Sequence, residues 1–132
     1  MIKIFVNGTF DIVHRGHLEM LEYAKSLGNY LLVAIDADQR VKSLKGQNRP
    51  INNQEDRKYL LQNLRWVNEV RIFHSSDELE NIIKHYDPDF MVKGSDYQGK
   101  PIIGEQYCKQ IKFYKLVNGY STTKTIQNIT NR

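Results

Sequence analysis

His14 and His17, two imidazoles three residues apart, close the run Gly8-Thr9-Phe10-Asp11-Ile12-Val13 where an apolar segment gives way to a helical pattern. A turn rich in small residues that feeds a helix N-terminus presents free backbone N–H groups and a partial positive charge, a setting suited to phosphate. Imidazoles placed there add hydrogen-bond donors that can follow negative charge as it shifts across a reacting phosphate. One surface histidine beside a turn carries little meaning, but the whole arrangement from Gly8 to His17 carries much more. Within it, Gly16 permits either close helix–strand packing or close approach of a phosphate to the backbone. Thr9 offers a hydroxyl to a phosphate oxygen. Asp11 has two readings: it orients a histidine or assists a metal, or it simply forms an Asx turn.

Three other segments have the composition of a polyanion site. Lys42 and Lys45 lie in Lys42-Ser43-Leu44-Lys45-Gly46. As an isolated pair they would be a solvated charge run, whereas over the rim that holds the histidines they face phosphate. Arg49-Pro50 reads as a stiffened loop end. Arg57 falls near the start of the next helical pattern, where a cation opposes the helix dipole, so an anionic substrate group or a carboxylate partner is expected beside it. In Lys93-Gly94-Ser95-Asp96-Tyr97, Gly94 admits a base or ribose close to the backbone and Asp96 accepts from sugar hydroxyls; a plain turn is the alternative. Gly119-Tyr120-Ser121-Thr122-Thr123-Lys124 supplies more hydroxyls, Ser121 and Thr122 among them, than an N-cap requires.

Neither G-x-x-x-x-G-K-[ST] nor G-x-G-x-x-G occurs, which removes the sequence basis for a P-loop or an ordinary dinucleotide site. His74 and His85 are scattered, and no Cys/His spacing suggests a protein-held zinc. Cys108 has no evident base nearby in sequence and reads as inert packing. Trp66 and the eight tyrosines lack the clustering of a base-stacking platform.

Periodicity supplies the elements that must position these groups. Ile2 to Val6 reads as an apolar strand, Gly16 to Leu27 as a helix stopped at Gly28, and Tyr30 to Ile35 as a strand buried on both faces. Together they form a right-handed βαβ unit with parallel strands. Asp36 to Asn53 reads as a polar loop broken by Gly46 and Pro50. A helix is expected over Gln54 to Leu64, with Tyr59, Leu60, Leu61 and Leu64 on its buried side. Glu69 to Phe73 reads as a strand, Glu78 to Tyr86 as a helix and Asp89 to Val92 as a strand. Gly94 to Gly104 is irregular, Lys112 to Val117 is a last strand, and Ser121 or Thr122 caps a final helix to about Thr130. The alternation predicts an α/β fold, a single-domain doubly wound parallel sheet spanning 1–132. Ligands in such sheets sit beyond the strands' carboxyl ends near a topological switch point. Gly8 to His17, Asp36 to Pro50, Lys93 to Tyr97 and Gly119 to Lys124 should therefore converge on one rim.

With 132 residues the chain can bury a core without disulfides, and its one cysteine fits a reducing compartment. Met1 runs straight into a predicted strand and no apolar stretch approaches a membrane span, so a cytoplasmic protein without a membrane partner is expected. The net charge of +4 suits an anionic ligand but is too small and dispersed to indicate nucleic acid.

The segments GTFDIVHRGH (8–17), LKGQNRPIN (44–52), EDR (55–57), VKGSDY (92–97) and GYSTTK (119–124) together resemble the HxGH nucleotidylyltransferase superfamily, in its cytidylyltransferase-like form with a Rossmann-like fold. Glycerol-3-phosphate cytidylyltransferases resemble the chain in size, in GTFD, HxGH and the closing STTK. The adenylyltransferase half of bacterial ADP-heptose synthases looks closer through LKG-x-x-RP-x-N and VKGxDY. The resemblance implies transfer of a nucleoside monophosphate from ATP or CTP to a phosphorylated sugar or polyol, with Mg²⁺ and release of pyrophosphate. It further implies catalytic roles for His14, His17 and Lys45, and a nucleotide site lined by Thr9, Phe10, Asp11, Gly16, Gly94, Asp96, Ser121 and Thr122. Lys42 would support the substrate phosphate, and small relatives commonly form homodimers. Where glycerol-phosphate enzymes have an arginine before the final G-x-S-T-T stretch, this chain has Leu116, Val117 and Asn118, which favours a sugar-phosphate acceptor and ATP. Two other readings remain at this point: a cytidylyl enzyme for a polyol phosphate, and a nucleotide-binding sensor or assembly subunit without catalysis.

Overall fold

Five all-parallel strands form one sheet in the order β3-β2-β1-β4-β5, in a computed structural model whose described residues are 1–115 and Ile126. Strand β1 (Lys3–Gly8) leads into helix α1 (Arg15–Ser26), strand β2 (Tyr30–Asp36), helix α2 (Asp38–Lys45) and helix α3 (Gln54–Gln62). Strand β3 (Glu69–Phe73), helix α4 (Ser76–Tyr86), strand β4 (Phe90–Gly94) and strand β5 (Gln110–Tyr114) complete the described fold. Short 3-10 turns at Ser95–Tyr97 and Glu105–Tyr107 interrupt the connection between β4 and β5. The chain winds outward from β1 to β3, then returns to place β4 on the other side of β1. The sheet is doubly wound, as the alternation of elements predicts, and its switch point lies between β1 and β4.

The pleat divides the core in two. Ile4 and Val6 of β1, with Leu31, Val33 and Ile35 of β2, pack with Leu21 and Ala24 of α1 and Leu61 of α3. The intervening Phe5, Leu32 and Ala34 pack on the opposite face with Leu79 and Ile83 of α4. Because side chains alternate across a strand, burial on both faces produces the near-continuous apolar run seen in β2.

Two expectations change. The polar stretch after β2 contains α2, which is anchored by the one buried residue Val41 and starts at Ala37 without a side-chain cap. Its sparse apolar content hides the helix from a periodicity reading. In α3, Tyr59 and Leu60 are exposed, and the inward positions are Arg57 and Leu61. The helix therefore turns one of its charged residues, Arg57, toward the sheet. Gly28 serves its turn by size: a Cβ there would lie 2.6 Å from the Ile2 carbonyl oxygen. The expected last helix lies outside the described residues except at Ile126, which is helical.

Candidate nucleotide and phosphate site

At the carboxyl ends of β1 and β4 opens a cavity of about 450 Å³. Its floor is Asn7, Gly8 and Thr9 from β1 and the residue after it, with Val92, Lys93 and Gly94 from β4. His17 enters from the first turn of α1, and Lys45 from the last residue of α2. Asp36, Arg40 and Phe73 close one flank, while Asp96, Tyr97 and the lip Pro101–Ile103 close the other.

The histidines are held by a local cap. His14 is the N-cap of α1, and its Nδ1 accepts the Gly16 N–H at 3.1 Å. His17 Nδ1 reaches back to accept the His14 N–H at 3.1 Å. This reciprocal pattern is a capping box built from imidazoles rather than a hydroxyl and a carboxylate. Since each Nδ1 accepts a backbone proton, the ring proton of each neutral histidine resides on Nε2. The two rings stack with centroids 3.9 Å apart, and Phe10 packs on His17 at 5.1 Å. Burial, followed by the charges of His14 and Lys45, pushes the His17 pKa down to about 4. Burial also lowers His14. Both rings are thus neutral and fixed in orientation, and of the two it is His17 that lines the cavity.

Phe10 reaches that position with φ 52°, in the left-handed region. Its ring lies over Gly8, where a Cβ would come within 3.0 Å of Cε2. Glycine at position 8 thus leaves room for the aromatic support beneath His17.

Two lysines complete the positive character. Desolvation, then neighbouring Arg49, lowers the pKa of Lys45, while Asp36 and Asp11 act in the opposite sense. Lys93, on the cavity floor, donates to Asn7 Oδ1 at 2.8 Å and lies 4.8 Å from the centre of the Tyr97 ring. Burial lowers its pKa against the pull of Asp36 and Asp96. Both ammonium groups gain from an arriving polyanion that replaces lost hydration.

The cavity brings together Thr9, Phe10, His17, Lys45, Gly94 and Asp96. His14 stands behind as the stacking and capping partner, with buried Gly16 donating to its ring. Asp11 is corrected from the histidine-orienting or metal-assisting reading: its carboxylate accepts from the Ile51 and Asn52 amides, each at 2.8 Å, and from Arg49 Nε at 3.3 Å. It ties the chain before α3 to the β1–α1 turn. Lys42 donates to the Arg49 carbonyl at 3.3 Å and does not line the cavity. Arg57 is corrected as well. Its side chain is 0% exposed and donates to the Thr9, Asp36 and Asn52 carbonyls and to Asp38. The carboxylate partner is present and no face is left for substrate. Ser121 and Thr122 lie outside the described residues.

Asn7, Asp36, Arg40, Phe73 and Lys93 join the site without having been singled out individually. For Arg40 a signal existed: Asp36, the last residue of β2, and Arg40, in the first turn of α2, are four apart and form an ion pair of 2.9 Å. Reading the segment as a loop concealed it. Among the described residues no three His, Cys, Asp or Glu side chains gather around one point, and no helix is long and apolar enough to cross a membrane.

Comparison with known proteins bears on the family and the fold. Over 126 residues the chain is 47% identical to the bifunctional protein HldE of Aliarcobacter butzleri and 41% identical to that of Helicobacter pylori Shi470. Each match covers 96% of this chain, which spans only about a quarter of those relatives, 26% and 27% respectively. A lipopolysaccharide core biosynthesis protein from Thermoplasma volcanium superposes with a TM-score of 0.71 at 26% identity, covering 89% of this chain and 99% of that one. An Archaeoglobus fulgidus protein of unknown function shares the fold at a TM-score of 0.64 and 15% identity. The family profile described as cytidylyltransferase-like matches residues 5–128, from within β1 past the end of the described sheet. A parallel sheet with a stacked histidine pair beside its switch point, matched by the family profile over nearly its whole length, makes this chain a nucleotidyltransferase of the cytidylyltransferase-like family.

Proposed function

We propose that the chain transfers a nucleoside monophosphate from NTP, with ATP preferred, to a small sugar phosphate, releasing pyrophosphate. The observation that carries this reading is the cavity in which neutral His17, Lys45 and Lys93 surround one space at the N-terminus of α1. Such a site holds phosphates by N–H donors, ammonium charge and the helix dipole, and direct transfer to an ionised acceptor needs no covalent intermediate on the protein. The acceptor phosphate is ionised at neutral pH, so an oxygen attacks the α-phosphorus directly and pyrophosphate leaves on the far side. The protein aligns two mutually repelling anions and compensates charge as it moves to the leaving group. His17 Nε2–H and the two lysines do this from fixed positions; His14 holds His17 in place.

The donor set fits magnesium carried mainly by the nucleotide's own phosphates, with Asp36 and Asp96 the carboxylates facing the cavity. When bound, the ion would offset phosphate charge. The sugar acceptor is supported by the LKG-x-x-RP-x-N and VKGxDY resemblance, by the HldE relatives, and by the lipopolysaccharide core assignment of the Thermoplasma protein.

The test is pyrophosphate release with Mg²⁺, pairing ATP or CTP with heptose 1-phosphate, other sugar 1-phosphates or glycerol 3-phosphate. ATP with a sugar 1-phosphate should give the highest kcat/KM. A preference for CTP with glycerol 3-phosphate would replace this reading by the polyol-phosphate one. Tight NTP binding without turnover on any acceptor would replace it by a non-catalytic role.

A further inference from the structure

The cavity has two unlike flanks. On the β4 side, Gly94, Asp96 and Tyr97 offer backbone, a carboxylate and an aromatic edge to a nucleoside. On the β2–β3 side stand Asp36, Arg40 and Phe73. Arg40 Nε donates to Asp36 Oδ1 at 2.9 Å, and its Nη2 lies 3.3 Å from Ser76 Oγ. The guanidinium carbon lies 5.3 Å from the centre of the Phe73 ring. The second carboxylate oxygen of Asp36 accepts from Thr9 Oγ1 at 3.2 Å. Side-chain exposures of 19% for Arg40 and 12% for Asp36 leave both accessible from the cavity but poorly hydrated.

In-line transfer places the attacking and leaving oxygens on opposite sides of one phosphorus. With phosphates at the α1 N-terminus between the flanks and the nucleoside against β4, the β2–β3 flank remains for the acceptor. A carboxylate there repels a phosphate, so the acceptor's phosphate is held nearer Lys45 and its uncharged body faces Asp36. Paired with Arg40, the carboxylate forms a nearly neutral surface with acceptor oxygens and N–H donors side by side. Hydroxyl groups, each both donor and acceptor, match such a surface. Arg40 Nη1 has no hydrogen-bond partner among the described residues, so its N–H donors remain for a ligand. Stacking on Phe73 holds the guanidinium in one orientation.

We propose that the Asp36–Arg40 pair binds the hydroxyl groups of the phosphate acceptor, selecting a monophosphate of an uncharged polyhydroxyl body. The inference rests on the transfer reaction proposed above and adds which flank takes the acceptor and which residues read it.

Arg40→Met keeps an unbranched apolar stem against Phe73 while removing the donors, and Asp36→Asn removes the carboxylate but not the backbone carbonyl that Arg57 holds. Steady-state kinetics with heptose 1-phosphate as acceptor should show acceptor KM raised about ten- to a hundredfold in Arg40→Met, as expected for losing hydrogen bonds from a charged group. NTP KM should move less than about twofold, and kcat should fall less than acceptor KM rises. An unchanged acceptor KM, or an NTP KM that rises as much, overturns the flank assignment. Binding by calorimetry separates this from failure of the transfer reaction. With the α,β-methylene analogue of ATP already bound, heptose 1-phosphate should bind the wild-type chain and bind Arg40→Met at least about tenfold more weakly. If no acceptor turns over but this binding difference holds, the acceptor flank stands and the transfer reaction falls. If wild-type protein and Arg40→Met bind the sugar phosphate equally, or neither binds it, the acceptor flank falls.

Discussion

At the scale of single residues, the cap on α1 determines the chemistry of the histidines. Each Nδ1 is occupied by a backbone N–H, which leaves Nε2–H as the donor on each neutral ring. Removing the His17 donor by His17→Ala should lower kcat about a hundred- to a thousandfold, the usual cost of one donor at developing charge. Circular dichroism should show the fold retained, and near wild-type turnover from a folded variant would defeat the mechanism. The same residue makes stability pH-dependent. Its folded pKa of about 4 lies below the ordinary 6.5, so between those values the unfolded chain binds more protons than the folded one. The stabilisation from a neutral His17 is complete above about pH 6.5 and is lost as the pH falls to about 4. His17→Gln keeps a side-chain acceptor for the cap but cannot titrate, and should therefore lose less stability between pH 7 and pH 4.5. Urea midpoints at both pH values decide it: equal losses in variant and wild type would show that His17 is not the group responsible.

At the scale of elements, what was legible tracks how each element is buried. Strand β2 differs from its expected span only by Asp36, because an apolar run buried on both faces announces itself, and the edge strand β3 runs from Glu69 to Phe73 as predicted. Helix α2 is hidden because Val41 is its one buried residue, and the inward face of α3 is hard to read because one of its two buried residues is an arginine. The site divides similarly. The HxGH segment and Lys45 could be read from residue type and spacing, but Asp36, Arg40 and Lys93 enter the cavity through sheet order, which no local pattern encodes. Arg57 shows the limit most clearly: its position called for an anionic substrate group or a carboxylate partner, and the partner, Asp38, is what the fold supplies as Arg57 binds the ends of β1 and β2 to α2 and α3. Arg57→Met should cost about 3–5 kcal/mol of stability by chemical denaturation, the range for removing one partner of a buried charged network. A loss within about 0.5 kcal/mol, typical of a surface substitution, would contradict the structural role.

At the scale of the whole molecule, the cavity depends on both cores at once. His17 rises from the face that carries α1 and α3, whereas the lip Pro101–Ile103 is seated on the face that carries α4 through Ile102, which is 7% exposed. Gly104 is the joint in that seating. It has φ 80°, and a Cβ there would lie 2.5 Å from Cδ1 of the fully buried Ile83. Gly104→Ala must therefore strain the backbone and displace either Ile83 in α4 or the lip itself. The cost should be about 1–3 kcal/mol in thermal or chemical unfolding, as for overpacking a filled core. Because the lip walls the cavity while His17 and Lys45 stand on other elements, the loss should be accompanied by a raised substrate KM and a smaller change in kcat. Steady-state kinetics beside a melting curve measure both effects on one protein. A destabilised variant with unchanged KM for both substrates would show that the lip closes the cavity without touching what binds there, and that the α4 face supports the fold rather than the site.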